Sequence, residues 1–274
     1  MSKKKKRLII IGVILLISII LSAWGFLMQS VSYDIHSKKL PKGLKIVFLS
    51  DLHNCFYGGT DQSQLMDWID EESPDIVIFG GDVLDGWGGQ KYAKKIMTWS
   101  AEHYPTFYTP GNHEEMRDDK ESFYDWVRGT DVQMLIGDHS DISIKGQKIR
   151  IYGIIDKNYG GDLDKIKGTL DDSFYNILIA HQPEQIDDYL DTGDVKFDLI
   201  LSGHAHGGQW RIPKLLDQGL YAPDQGLFPD YTCGIYHYGN TVHVISKGLA
   251  KPARMIFIPR IFNRPEFSVI KIGE

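Results

Sequence analysis

Cysteine is nearly absent: Cys55 and Cys233 are the only two in 274 residues. That excludes a disulfide framework and a thiolate metal cluster, and it leaves room for at most one bridge. Basic charge is scarce once the first seven residues are passed. From residue 29 onward, 25 Lys and Arg stand against 36 Asp and Glu, a balance of −11. So acidic a body offers no basic patch for nucleic acid, and no nucleic-acid partner is expected. There is no G-x-S-x-G elbow, which removes one serine-hydrolase route. There is no H-x-H-x-D-H run, no internal repeat, and no low-complexity tract beyond the N-terminal segment.

The N-terminal segment differs from the rest. "MSKKKKR" is cationic, and Leu8 to Met28 is 21 residues without a charge. A membrane-spanning helix needs ~20 apolar residues. A secretory signal has a shorter apolar core, ~7–15 residues, and a small-residue cleavage site, whereas Trp24 and Phe26 occupy the equivalent stretch here. The expectation is an uncleaved single-pass anchor over 8–28, with a cleaved signal as the alternative. Lys3 to Arg7 place the N-terminus in the cytoplasm by the positive-inside bias. Residues 29–44 are read as a linker, and 45–274 as one folded domain outside the cytoplasm.

Five short apolar runs follow, each ending in polar residues or glycine: "KIVFLSDLH" (45–53), "PDIVIFGGD" (74–82), "PTFYTPGNHE" (105–114), "NILIAHQP" (176–183) and "FDLILSGHAH" (197–206). Near-continuous β-branched runs between turn signals read as strands buried on both faces. Helix-compatible stretches over 60–72 and 90–103 separate the first three. Residues 141–156 alternate around Lys-Gly-Gln as a hairpin does, and "TVHVIS" and "FSVIKI" read as closing strands. The fold class is α/β, a sandwich of two sheets with helices outside.

Ligands of open α/β sheets sit at the carboxyl ends of the strands. Asp51, His53, Asp82, Asn112, His113, His181, His204 and His206 therefore converge in this reading. Carboxylate oxygen and imidazole nitrogen without thiolate suit Mn, Fe or Zn rather than Ca. A carboxylate between two cations can bridge them, and such a pair clamps a phosphoryl group. Asp51 and His53 would share one face of a regular strand. His204 and His206 repeat that spacing, although their flanking glycines equally allow a turn in which the two rings serve different ions.

"DLH" at 51–53, "GDVLDG" at 81–86, "GNHE" at 111–114, the lone His181 and "GHAHGGQ" at 203–209 resemble the five-block signature of the calcineurin-like metallophosphoesterases. With "RPE" at 264–266 and the N-terminal segment, the chain is similar to the membrane-associated bacterial subgroup. The resemblance spans most of 45–250 and implies a four-layer α/β/β/α sandwich holding two divalent ions. It implies Asp51, His53 and His206 on the first ion, Asn112, His181 and His204 on the second, and Asp82 between them. It implies His113 as the proton donor at the leaving group, oriented by Glu114, and attack on phosphorus by a hydroxide held between the ions. Asp82 and His113 are then the catalytic pair.

Asn112 also borders the phosphoryl position, and Arg211 is a candidate phosphate clamp. Asp85 and Asn158 are candidates for supporting roles, with plain loop positions as the alternative. Cys55 is expected to pack near the first ion without binding it. The 207–231 stretch is long, and long loops are commonly functional; its Trp210, Leu215, Leu216, Leu220 and Phe228 suit an apolar substrate tail or a bilayer, with a folded lid around its own small core as the alternative. The expected activity is hydrolysis of a phosphate ester or pyrophosphate on a small-molecule, lipid-linked or cell-wall substrate. A non-catalytic envelope-binding module is the alternative, although no expected ligand is missing.

Overall fold

The apolar runs build two six-stranded mixed sheets. The computed structural model describes residues 2, 5–7, 9–13, 26–59, 61–160, 163–251 and 260–274. The first sheet runs β1 (Gln29–His36), β14 (Glu266–Gly273), β2 (Leu44–Leu49), β3 (Ile76–Gly80), β4 (Thr106–Thr109), β5 (Gln133–Met134). The second runs β12 (Gly234–Tyr238), β13 (Thr241–Ile245), β9 (Leu199–Ser202), β8 (Tyr175–Ala180), β7 (Gln147–Ile154), β6 (Asp138–Ile144). A two-stranded ribbon, β10 (Tyr221–Ala222) with β11 (Gly226–Leu227), lies in the long loop.

Alternation along the strands sorts side chains into layers. Ile46, Phe48, Ile76, Ile78 and Phe107 of the first sheet meet Ile149, Ile151, Ile177, Ile179, Leu199 and Leu201 of the second. The other face of the first sheet, with Val47, Leu49, Val77 and Phe79, packs on three helices. These are α1 (Ser63–Glu72), α2 (Lys91–His103) and, beyond the one-turn α3 (Asn112–Glu115), α4 (Lys120–Arg128). Their buried stripes are Leu65 and Ile69; Ala93, Ile96, Met97 and Ser100; and Phe123, Tyr124 and Val127. This is the three- and four-residue spacing of a helix with one apolar face. The outer face of the second sheet is covered by α5 (Leu163–Lys167) and α6 (Ile186–Leu190). Each buried aliphatic side chain contributes about 1.5–3 kcal/mol.

The 141–156 hairpin forms as β6 and β7, turning at Lys145 and Gly146, both at positive φ (55° and 76°). Residues 29–36 depart from the linker reading. They form β1, an edge strand paired along its whole length with β14. Its alternating exposed and half-buried pattern lacks the long apolar run that marked the inner strands. The 8–28 anchor expectation falls largely outside the described residues, at Leu8 and 14–25. Among the described residues no helix is long and apolar enough to cross a membrane.

β2, β3 and β4 are mutually parallel, as are β7, β8 and β9. Each set therefore delivers its carboxyl ends to one edge. The two edges meet where the Gly80 carbonyl accepts a hydrogen bond from His181 Nδ1 at 2.7 Å.

Candidate metal centre

β2 ends at Leu49, so Asp51 and His53 do not share a strand face as expected. Both adopt left-handed backbone, φ 51° and 47°, and so do Asp82 (53°), His204 (64°) and His206 (47°). Non-glycine residues in that region cost roughly 1–3 kcal/mol each and persist where surroundings enforce them. Here the enforcement is close packing. A Cβ on Gly203 would overlap the Asp51 carboxylate and Ser50, and one on Gly111 would overlap Asp82. The backbone is also pinned across loops: Asp51 N–H donates to Gly81 O, His53 N–H to Asp82 O, and His204 N–H to the Asp51 carboxylate at 3.0 Å.

Four groups of candidate ligands result among the described residues, and two of them consist only of the expected ligands. Asp51, His53 and His206 bring one donor atom each within 4.8 Å of one another, and so do Asp82, His181 and His204. The turn at 203–208 thus sends its two histidines to different groups. Asp82 lies between the groups: its Oδ2 is 3.1 Å from His181 Nε2 and 3.8 Å from His53 Nε2. Asp51 Oδ1 is 3.7 Å from His181 Nε2 and 3.8 Å from His206 Nε2.

These residues fit divalent cations. His53 Nε2, Asp82 Oδ2, Asn112 Oδ1 and His181 Nε2 are buried without a hydrogen-bond partner. Buried polar atoms are normally satisfied, and four orphans among the expected ligands suit a cation that accepts their lone pairs. The outer nitrogens are fixed by protein groups, as metal-binding imidazoles require. His181 Nδ1 is held by Gly80 O, and His204 Nε2 meets Asp224 Oδ2 at 2.8 Å. Burial opposes charge on His181, but Asp82 overrides it and raises the ring to about 10. Asp82 itself is held well below the carboxylate range against its burial, by His181 and then His113. His206, buried beside His53 and Arg260, is pushed down.

His113 opens α3 beside His53, ring centroids 4.5 Å apart, and its N–H donates to Asp82 Oδ1 at 2.9 Å. Asp85 Oδ1 lies 3.2 Å from His113 Nδ1 and accepts the Gly86 N–H at 3.0 Å. Burial works against a charged ring, yet Asp82 and Asp85 raise His113 to about 9. Asp85 thus lies against His113, whereas Asn158 is an exposed residue of a turn capped by Asp156.

Glu114 does not touch the His113 ring as expected. Its Oε2 accepts from Gly111 and Asp82 N–H at 2.8 and 2.9 Å, and its Oε1 accepts from Leu84 N–H at 2.6 Å. It aims the backbone that carries Asp82. Arg211 is half-buried, with Nη1 on Gly207 O and Cys233 Sγ, both at 3.0 Å, rather than in the ligand groups. Cys55 and Cys233 are unbridged; Cys55 packs in the core beneath α1 and α2.

Some supports escaped the sequence. Asn54 Oδ1 accepts from Tyr92 and Ala93 N–H, satisfying the first turn of α2. Asp224 reaches His204 from the long loop. Arg260, fully buried, donates to Lys247 O at 2.7 Å, and Asn263 donates to His206 O at 2.7 Å. Asn54 was signalled by its place beside "DLH"; no local pattern marks the other three.

Residues 44–208 match the family model for calcineurin-like phosphoesterases. The chain belongs to that family. An uncharacterized metallophosphoesterase of Campylobacter jejuni is 34% identical over 65% of this chain and 48% of its own length. One from Bacillus subtilis is 26% identical over 90% and 86%. A zebrafish transmembrane protein with a metallophosphoesterase domain is 24% identical over 85% and 60%. The chain spans about half the length of the Campylobacter relative.

Proposed function

We propose that this phosphoesterase is a membrane-anchored, two-metal hydrolase of a phosphate ester or pyrophosphate in the cell envelope. The observation that carries the reading is the pair of ligand groups with Asp82 between them, where His53 Nε2, Asp82 Oδ2, Asn112 Oδ1 and His181 Nε2 have no hydrogen-bond partner. Asp51, His53 and His206 would hold one cation and Asn112, His181 and His204 the other, with Asp82 between. Mn, Fe or Zn bound there neutralises phosphoryl charge and activates water.

The rest is done by the chain. Left-handed turns fix both groups before substrate arrives. Asp85 holds His113 through Nδ1, which leaves Nε2 to give a proton to the leaving oxygen. Asn112 borders the position of the phosphoryl group. The uncharged stretch over 8–28 and the zebrafish relative's name support the anchor, with the domain outside the cytoplasm.

The test is turnover of p-nitrophenyl phosphate and bis(p-nitrophenyl) phosphate by the full chain in detergent with Mn²⁺. The expected result is activity abolished by chelation and lowered at least ~10³-fold in Asp82→Ala. Turnover indifferent to both would refute it.

A further inference from the structure

The direction in which the chain enters the domain bears on what the site faces. β14 runs antiparallel to β2, and β1 runs parallel to β14. Ser268 pairs with Phe48, and Gln29 pairs with Glu266. Gln29 thus starts β1 at the edge where β2 delivers Asp51. Arg264 fastens the preceding residues there, donating from Nε to Leu27 O and from Nη2 to Met28 O, both at 2.7 Å. The 21-residue uncharged stretch therefore joins the domain at the rim of the metal centre.

The same rim exposes apolar side chains. Leu215, Leu227 and Phe228 are 79%, 65% and 68% exposed, and Leu27, Trp210 and Phe262 are exposed as well. Leu27 is held by Arg264, and the others belong to segments tied to the histidine turn. Trp210 bridges to Ile261, Leu220 N–H donates to Gly208 O, and Phe228 N–H donates to Leu220 O. Large apolar residues gathered on one rim mark an interaction surface. The apolar stretch covalently continuous with this rim specifies its occupant as a bilayer rather than a second protein.

We propose that the rim formed by Leu27, Trp210, Leu215, Leu227, Phe228 and Phe262 rests in the membrane interface. The metal centre then opens toward the lipid and takes amphiphilic phosphate esters whose apolar part stays in the bilayer. This rests on the anchored-hydrolase reading and adds its orientation and substrate class. Asp224 lies in the same loop, so the segment that meets lipid also carries the carboxylate on His204.

The test uses the full chain in phosphatidylcholine vesicles with brominated acyl chains. Trp24 lies within the apolar stretch and Trp210 on the rim, so comparing Trp24→Phe with Trp210→Phe separates the anchor from the orientation. Both substitutions are expected to remove a quenched component. In parallel, the triple variant Leu215→Glu, Leu227→Glu, Phe228→Glu is assayed on a diacylglycerol-tailed p-nitrophenyl phosphodiester in vesicles and on soluble bis(p-nitrophenyl) phosphate. The expected result is a loss of about tenfold or more on the tailed ester with the soluble rate kept, since these side chains supply interfacial area rather than chemistry. Quenching at Trp24 without quenching at Trp210, or equal rates on both esters in the variant, overturns the orientation while the anchor stands. Binding of the rim to a protein in place of lipid overturns it as well. Quenching at neither tryptophan overturns both. Absence of turnover on either ester refutes the hydrolase reading, and with it the substrate class, while quenching still decides the orientation.

Discussion

Glu114 spends both carboxylate oxygens on backbone N–H groups of Gly111, Asp82 and Leu84. Burial and the neighbouring Asp82 raise it to about 8 even so. Glu114→Ala orphans three buried donors, each worth about 1–3 kcal/mol if left unmet. Loss of bound metal and a melting temperature lowered by many degrees are expected, with Glu114→Gln milder because one acceptor oxygen survives. His113 differs in kind. If it donates a proton, kcat falls as pH rises through its value. Asp82 and Asp85 set that value at about 9, and cations beside Asp82 lower it, so the alkaline limb should lie at or below about pH 9. His113→Gln should remove the limb and lower kcat about 10²–10⁴-fold while metal content holds, as a pH–rate profile with metal analysis would show. His243 is fully buried in β13, bonded to Ser202 Oγ at 2.9 Å, and burial lowers it from 6.5 to about 3. Its unfolded form binds a proton first, so the stability it gives is complete above 6.5 and is lost as pH falls toward 3. Melting curves of His243→Phe should lose less stability than the parent between pH 7 and pH 4, by an amount on the order of 3 kcal/mol.

Among the elements, the inner strands were legible because burial on both faces writes an unbroken apolar run, and their ends were legible because ligands and glycines follow at once. β1 was hidden: an edge strand half open to water carries no such run, and its partner β14 lies more than 230 residues away. Deletion through residue 36 strips β14 of that partner. It should destabilise the domain in thermal melts far more than deletion through residue 25. The candidate residues were readable from five short blocks, yet the way they converge was not. Asp51 and His53 meet through left-handed turns after the strand, not through strand alternation. Arg260, Asn263 and Asp224 come from segments whose position depends on tertiary packing. His243, in the run read as a closing strand, lies in the core. The Lys145–Gly146 turn has positive φ at both positions, so Lys145→Asn should stabilise the hairpin by a few tenths of a kcal/mol to about 1, measurable by denaturant titration.

For the whole molecule, two sheets press their carboxyl-end edges together, and the contact generates the chemistry. Asp51, His53, Asp82 and Asn112 come from one sheet and His181, His204 and His206 from the other, so the site exists only when the sandwich is closed. Metal binding should accordingly stabilise the closed form, and chelation should lower the melting temperature along with activity. The most direct measurement is anomalous diffraction from crystals of the full chain grown with Mn²⁺. Two peaks are expected, one among Asp51, His53 and His206 and one among Asn112, His181 and His204, with Asp82 between. Crystals that show neither peak would contradict the account.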